Sequence, residues 1–195
     1  MLRSIVIVVI CLSFFSCSHH YDNPHVRIET SRGDIEVELF PKQAPLSVAA
    51  FLKNVDSGYY KNTSFYRILS DDNQPSDSYK ARLVQGGLWK SKYKLSASLP
   101  GIPHETTQQT KLTHTDGTVS LARLKPGTAN TEFFICVGDQ HGFDYGGTNN
   151  PDGQGYAAFG RVVNNGMKVV LDIYSAAEDD EDLAHPIEIY DIVRL

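Results

Sequence analysis

Residues 117–144, GTVSLARLKPGTANTEFFICVGDQHGFD, constrain the fold more than any other stretch of this chain. Thr118, Val119, Ser120, Leu121 and Ala122 alternate and are rich in β-branched side chains, which suits a half-buried strand. Residues 125–130, KPGTAN, are a cluster of chain breakers. Residues 133–137, FFICV, are an apolar run of strand length, buried on at least one side. A wide loop between two strands, followed by a double aromatic, predicts one wall of an apolar groove.

The remaining elements place that wall in a barrel. Residues 26–30 and 34–40 alternate around Ser31-Arg32-Gly33 and predict a hairpin. Residues 45–55 carry Val48, Phe51, Leu52 and Val55 at helical spacing, with Gly58 as a stop. Strands are predicted at 63–69 (TSFYRIL) and 83–87 (LVQGG), separated by a polar loop, 70–81, with no core content. Residues 90–114 read as irregular, broken by Pro100, Gly101 and Pro103. Residues 146–155 read as a long turn, 156–163 as a strand, 165–176 as a helix and 187–195 as a closing strand. About eight short strands with interleaved turns and two helices favour a closed antiparallel β-barrel. No repeat or linker divides it, so one domain is expected.

Composition narrows the function. At 195 residues the chain can bury one proper core and still carry a tail. With 41% hydrophobic and 21% charged residues it is globular in composition. A net charge of −5 argues against a nucleic-acid partner, because phosphate binding needs a basic face. The N-terminus reads as a leader. Arg3 precedes an apolar run, 4–15, too short to span a bilayer as a mature helix. It ends at Ser16-Cys17, which resembles a bacterial lipoprotein signal, although Phe14 stands where leucine is more usual. Residues 1–16 would then be a signal peptide, with Cys17 lipidated and 17–25 a tether to a domain at 26–195. That places the protein on the bacterial cell envelope, anchored at its periplasmic or outer-membrane face. Ordinary secretion and an uncleaved anchor are the alternatives. Cys11 leaves with the signal and Cys17 is modified, so Cys136 has no disulfide partner and reads as a small buried hydrophobe.

Six ordered blocks are similar to those of the cyclophilin-type peptidyl-prolyl isomerases. After a hairpin, TSRGDIEVELFPKQAP, come FYRIL, VQGG, GTVSLAR, EFFICVGD, YAAFGRV and NGMKVV. The resemblance covers roughly residues 26–195. It implies an eight-stranded barrel capped by two helices, as the strand count does. It also implies an enzyme acting on proline-containing unfolded or extended polypeptides, without cofactor or metal; nothing in the sequence suggests more than a monomer.

Residue by residue, the resemblance implies Arg67, in Phe65-Tyr66-Arg67, as the catalytic arginine. Gln85, before Gly86-Gly87, falls at the groove glutamine, and Phe134 at the floor of the proline pocket. Leu83 and Phe143 fall on the pocket wall, and Ala122 at a small groove-lining residue. Phe65, Arg123, Glu132 and Tyr156 complete the candidate substrate contacts. Five positions depart from the family pattern. Glu132 replaces a usual glutamine, Arg123 a common asparagine and Tyr156 a frequent histidine, while Arg82 takes a place often held by phenylalanine. Gly142 stands where some members carry a cyclosporin-binding tryptophan, which puts drug sensitivity in doubt. Glu132 has two readings, orienting or tying up Arg67, or pairing with Arg123 on the rim; the rim pairing is the one expected.

These residue types suit rotation about an amide. Resonance sets a barrier of about 18–20 kcal/mol on the Xaa-Pro bond. An apolar pocket can grip the ring, and an always-charged donor can reach the prolyl nitrogen as it pyramidalises. The rival reading is a module that binds proline segments, or a chaperone, on the same barrel with little turnover. His104, His114, His141 and His185 are too scattered to suggest a metal site. The acidic run 178–182 lacks the spacing of a calcium loop and is expected to be solvated.

Overall fold

Period-two alternation builds the first hairpin. β1 (His25–Thr30) buries Val26 and Ile28, and β2 (Gly33–Leu39) buries Ile35, Val37 and Leu39. Gly33, at φ +123°, opens β2 in a conformation that disfavours a side chain. The computed structural model describes residues 22–77, 79–176 and 178–195. Residues 1–16 and Cys17, read above as signal and lipidation site, lie outside the described residues.

After α1 (Pro45–Asp56) come β3 (Thr63–Leu69) and β4 (Leu83–Gly87). Two short helices follow, α2 (Tyr93–Ser98) and α3 (Thr107–Thr110), before β5 (Thr118–Leu121) and β6 (Phe133–Cys136). β7 (Ala157–Val162), α4 (Gly166–Tyr174), β8 (Glu178–Asp179) and β9 (Asp182–Arg194) complete the described elements. Hydrogen bonding runs β1-β2-β7-β5-β6-β4-β3-β9 and returns to β1, with every pair antiparallel. This is the expected closed eight-stranded barrel. β8 hangs on β9 outside the circuit.

Aromatic rings fill the interior. Phe65, Phe133 and Phe159 from the strands meet Phe51 of α1 and Tyr60 in the turn after it, with ring centres 5.0–5.9 Å apart. Such pairs add about 0.5–1.5 kcal/mol each beyond their buried area. α1 buries Val48, Phe51, Leu52 and Val55, the stripe read from the sequence. Its N-terminus lacks a local side-chain cap. Glu105 supplies one from a distance, accepting from the backbone N–H of Leu46 (3.1 Å) and Ser47 (2.7 Å). The negative charge also suits the positive end of the helix dipole. α4 packs on β2 through the face that carries Val170 and Ile173.

Three local expectations are corrected. Residues 90–114 are not wholly irregular, since α2 and α3 lie there. Each is too short for an apolar stripe, and the available signal for α3 was its capping box, Thr106 with Gln109. The last strand begins at Asp182 instead of 187. Phe65 pairs with Ile187 and Arg67 with Asp182, so β9 bulges between them, where Pro186 has no N–H to donate. The acidic run is not a loop throughout: it forms β8, a turn at Asp180 (φ +54°) and the start of β9.

Candidate active site

β6 is buried on both faces, so one wall serves the barrel interior and a groove outside it. Phe133 and Ile135 point in. Phe134 and Cys136 point out, joining Leu69, Ala81, Leu83 and Phe143 in a second apolar cluster on which Ala122 and Tyr156 pack. Burial pushes the Cys136 thiol up, away from reactivity. The cluster floors an open groove of about 960 Å³. Phe134 is its centre, with Phe143 at 5.2 Å and Tyr156 at 5.4 Å between ring centres.

Beneath that floor lies a polar layer. His114 stacks on Phe134 at 6.0 Å, and its ring nitrogens lie 2.8 Å from Asp144 and 3.0 Å from Ser120. His141 and the His114 backbone also hydrogen-bond Asp144. Burial pushes the Asp144 carboxyl up, but the His114 and His141 hydrogen bonds outweigh it and hold it below the usual range. Serine, histidine and aspartate in this order suggest nucleophilic chemistry. Ser120 and His114 are fully buried, so here they brace the floor and no substrate reaches them. Among the described residues, no group of three His, Cys, Asp or Glu could hold a metal.

Arg67 stands at the groove edge, its side chain about one-third exposed. Gly86 pairs with Phe65 and Gln85 with Arg67, so Tyr66 is the extra residue of a β3 bulge. The bulge turns both Tyr66 and Arg67 toward the groove. It also corrects the expectation for Phe65, which is fully buried against Phe133 in the barrel interior and meets no groove. Arg67 donates from Nη1 to Gln85 Oε1 at 3.0 Å, and from Nε and Nη2 to Glu181 Oε2 at 3.0 and 2.6 Å.

Glu132 touches neither Arg67 nor Arg123, so neither direct pairing expected of it forms. It accepts from the Tyr66 hydroxyl (2.6 Å), the Leu88 N–H (2.7 Å), the Trp89 N–H (2.9 Å) and the Thr131 hydroxyl (3.1 Å). Burial pushes this carboxyl above its ordinary range despite those donors. Arg123 instead clasps the 146–155 loop. It donates to both Asp152 oxygens (2.7 and 2.9 Å) and to the Gly155 carbonyl (2.9 Å) and lies over the Tyr156 ring, its side chain only 1% exposed. Those hydrogen bonds bring the Asp152 carboxyl down to about 2.

The 70–81 segment adds a wall that its polar composition concealed. Asn73 accepts from the Ser70 N–H and donates to the carbonyls of Ile68 and Asp180, tying the segment to the acidic turn. Gln74, Pro75 and Tyr79 thereby join the groove lining. On the other side, Asn149 donates to the Tyr79 carbonyl at 2.8 Å. A Cβ on Gly142 would lie 1.6 Å from Asn149 Oδ1, so Asn149 occupies the room a side chain there would need.

Leu83, Gln85, Ala122, Arg123, Glu132, Phe134, Phe143 and Tyr156 are thus brought together with Arg67; Phe65 is not. A model of the family "Cyclophilin type peptidyl-prolyl cis-trans isomerase/CLD" matches residues 25–194. The chain belongs to this family. Peptidyl-prolyl cis-trans isomerase A of Dickeya dadantii is 35% identical over 84% of this chain and 78% of its own length. Peptidyl-prolyl cis-trans isomerase B of Escherichia coli is 30% identical, covering 86% and 94%. Among solved structures, a Cryptosporidium parvum cyclophilin-type isomerase in the presence of the dipeptide Ala-Pro superposes with a TM-score of 0.66. The two share 26% identity, over 87% of this chain and 97% of that one. Cyclophilin-type isomerases are enzymes, and this chain is one of them. Besides the wall from residues 70–81, sequence reasoning missed Tyr66 and Glu181, the groove residues that touch the Gln85–Arg67 pair. Tyr66 follows from the bulge alone, and Glu181 from a contact 114 residues away in sequence.

Proposed function

We propose that this cyclophilin acts on extended proline-containing segments of envelope or secreted proteins, with Arg67 as the group that assists rotation. The observation that carries this reading is the juxtaposition of Arg67 with the pocket of Phe134, Leu83 and Phe143. The pocket takes the proline ring and disfavours the charge-separated resonance form of the amide. A guanidinium N–H then donates to the prolyl nitrogen, whose lone pair is available only in the twisted state. That interaction is stronger in the transition state than in the ground state, which is the condition for catalysis. An acceleration of about 10⁵ requires roughly 7 kcal/mol from grip and donation together. The Ala-Pro dipeptide used with the Cryptosporidium parvum relative supports a proline ligand here.

One observation favours a second reading, a proline-binding clamp. Glu181 occupies Nε and one donor of Nη2 on Arg67, and Gln85 one donor of Nη1, leaving Nη1 and Nη2 one N–H each for a substrate. The cis-to-trans rate of a short Xaa-Pro peptide decides between them. Catalysis accelerates exchange at substoichiometric protein; a clamp binds the peptide and leaves the rate unchanged.

The envelope location rests on the apolar run 4–15 and on Ser16-Cys17. Cys17→Ser is expected to move the protein from the membrane pellet to the soluble fraction. Unchanged partitioning would rule out a lipid on Cys17.

A further inference from the structure

Two groove residues, Glu132 and Tyr66, meet in a single directed chain of hydrogen bonds. Glu132 Oε1 is held by the backbone N–H groups of Leu88 and Trp89, at 2.7 and 2.9 Å. Gly87, at φ +146°, makes room for it, since a Cβ there would lie 2.5–2.6 Å from the carboxylate atoms. Glu132 Oε2 faces the Tyr66 hydroxyl at 2.6 Å. An ionised carboxylate only accepts, so Tyr66 must donate to it. The tyrosine oxygen is then left as an acceptor, and Gln85 Nε2 donates to it at 2.9 Å. That fixes which way round the Gln85 amide sits. Its oxygen faces Arg67 Nη1, which donates to it at 3.0 Å.

The polarity of each link is dictated by the one before it. Reversing the first link reverses the last. A neutral amide at 132 would keep its oxygen on the Leu88 and Trp89 N–H groups and turn its NH₂ toward Tyr66. The Tyr66 proton would then turn to Gln85, whose amide would invert and meet Arg67 donor against donor. We propose that Glu132 and Tyr66 are positioning residues that orient the Gln85 amide and through it aim the Arg67 guanidinium at the groove. The proposal rests on the reading of Arg67 as the group that assists rotation.

The test is a double-mutant cycle on kcat/KM for a short Xaa-Pro peptide. Glu132→Gln alone is expected to lower kcat/KM about tenfold, and Tyr66→Phe alone about threefold. In the Tyr66→Phe background the relay is already cut, so Glu132→Gln should add no further loss. Side chains in contact couple whatever their role, so the mark of the relay is recovery, the double variant being about threefold more active than Glu132→Gln alone. In ¹⁵N–¹H spectra, Glu132→Gln is expected to shift the Gln85 side-chain NH₂ and Arg67 Nε–H signals. A double variant no more active than Glu132→Gln, unshifted signals or full activity in Glu132→Gln would each overturn the relay. If Glu132→Gln does not fold, Tyr66→Phe alone decides: unchanged rate and unchanged Gln85 signals sink the proposal. Arg67→Ala, measured alongside, separates the two ideas. If it retains activity, the reading of Arg67 fails; if it is inactive while the double variant shows no recovery, the relay alone fails.

Discussion

Arg67→Ala is expected to lower kcat/KM by about 10²–10³-fold, the usual cost of removing one preorganised donor to a transition state. Peptide affinity should stay within an order of magnitude, because the proline ring is held by Phe134, Leu83 and Phe143 and not by the guanidinium. Stability should change by less than about 1 kcal/mol, since the Arg67–Glu181 pair is one-third or more exposed on both sides. Arg67→Lys keeps the charge but cannot reach Gln85 and Glu181 with one planar fork. It should therefore recover only a small part of the loss. A protease-free exchange assay by NMR, with affinity from titration of the same peptide, measures both quantities. If affinity falls in parallel with rate, Arg67 is a binding residue and the clamp reading gains.

Much of this site was legible in the sequence because its local geometry is written in single strands. Alternation along FFIC assigns Phe133 to one face and Phe134 to the other, and VQGG places Gln85 beside a backbone that only glycine allows. Phe65 failed for a specific reason. Period two puts it on the same face as Arg67, but the bulge at Tyr66 breaks the period between them. Glu132 and Arg123 failed for another. Opposite charges nine residues apart invite pairing, yet each found a better-oriented partner: backbone N–H groups beside Gly87 for one, Asp152 and the Gly155 carbonyl for the other. Glu181 belonged to an acidic run whose composition suited solvent. What brings it to Arg67 is the β3–β9 register, which pairs Arg67 with the neighbouring Asp182.

Phe134→Ala against Phe133→Ala tests whether that two-faced strand separates stability from function. Both rings are buried, at 2% and 0% exposure, so each truncation should cost about 3–5 kcal/mol and lower Tm by roughly 6–20 °C. Their effects on catalysis should diverge. Phe134→Ala removes the groove floor and the ring stacked on His114, so the proline loses its grip. A loss of about 10²-fold in kcat/KM, carried mainly by weaker peptide binding, is expected well below the lowered Tm. Phe133→Ala opens its cavity among Phe51, Tyr60 and Phe65 inside the barrel. There kcat/KM should stay within about threefold of the parent at the same temperature, because no groove atom is removed. Equal catalytic losses in the two variants would mean that the barrel interior and the groove respond as one unit. Loss confined to Phe134→Ala would show that alternation along four residues keeps the stability of the barrel apart from the grip on the substrate.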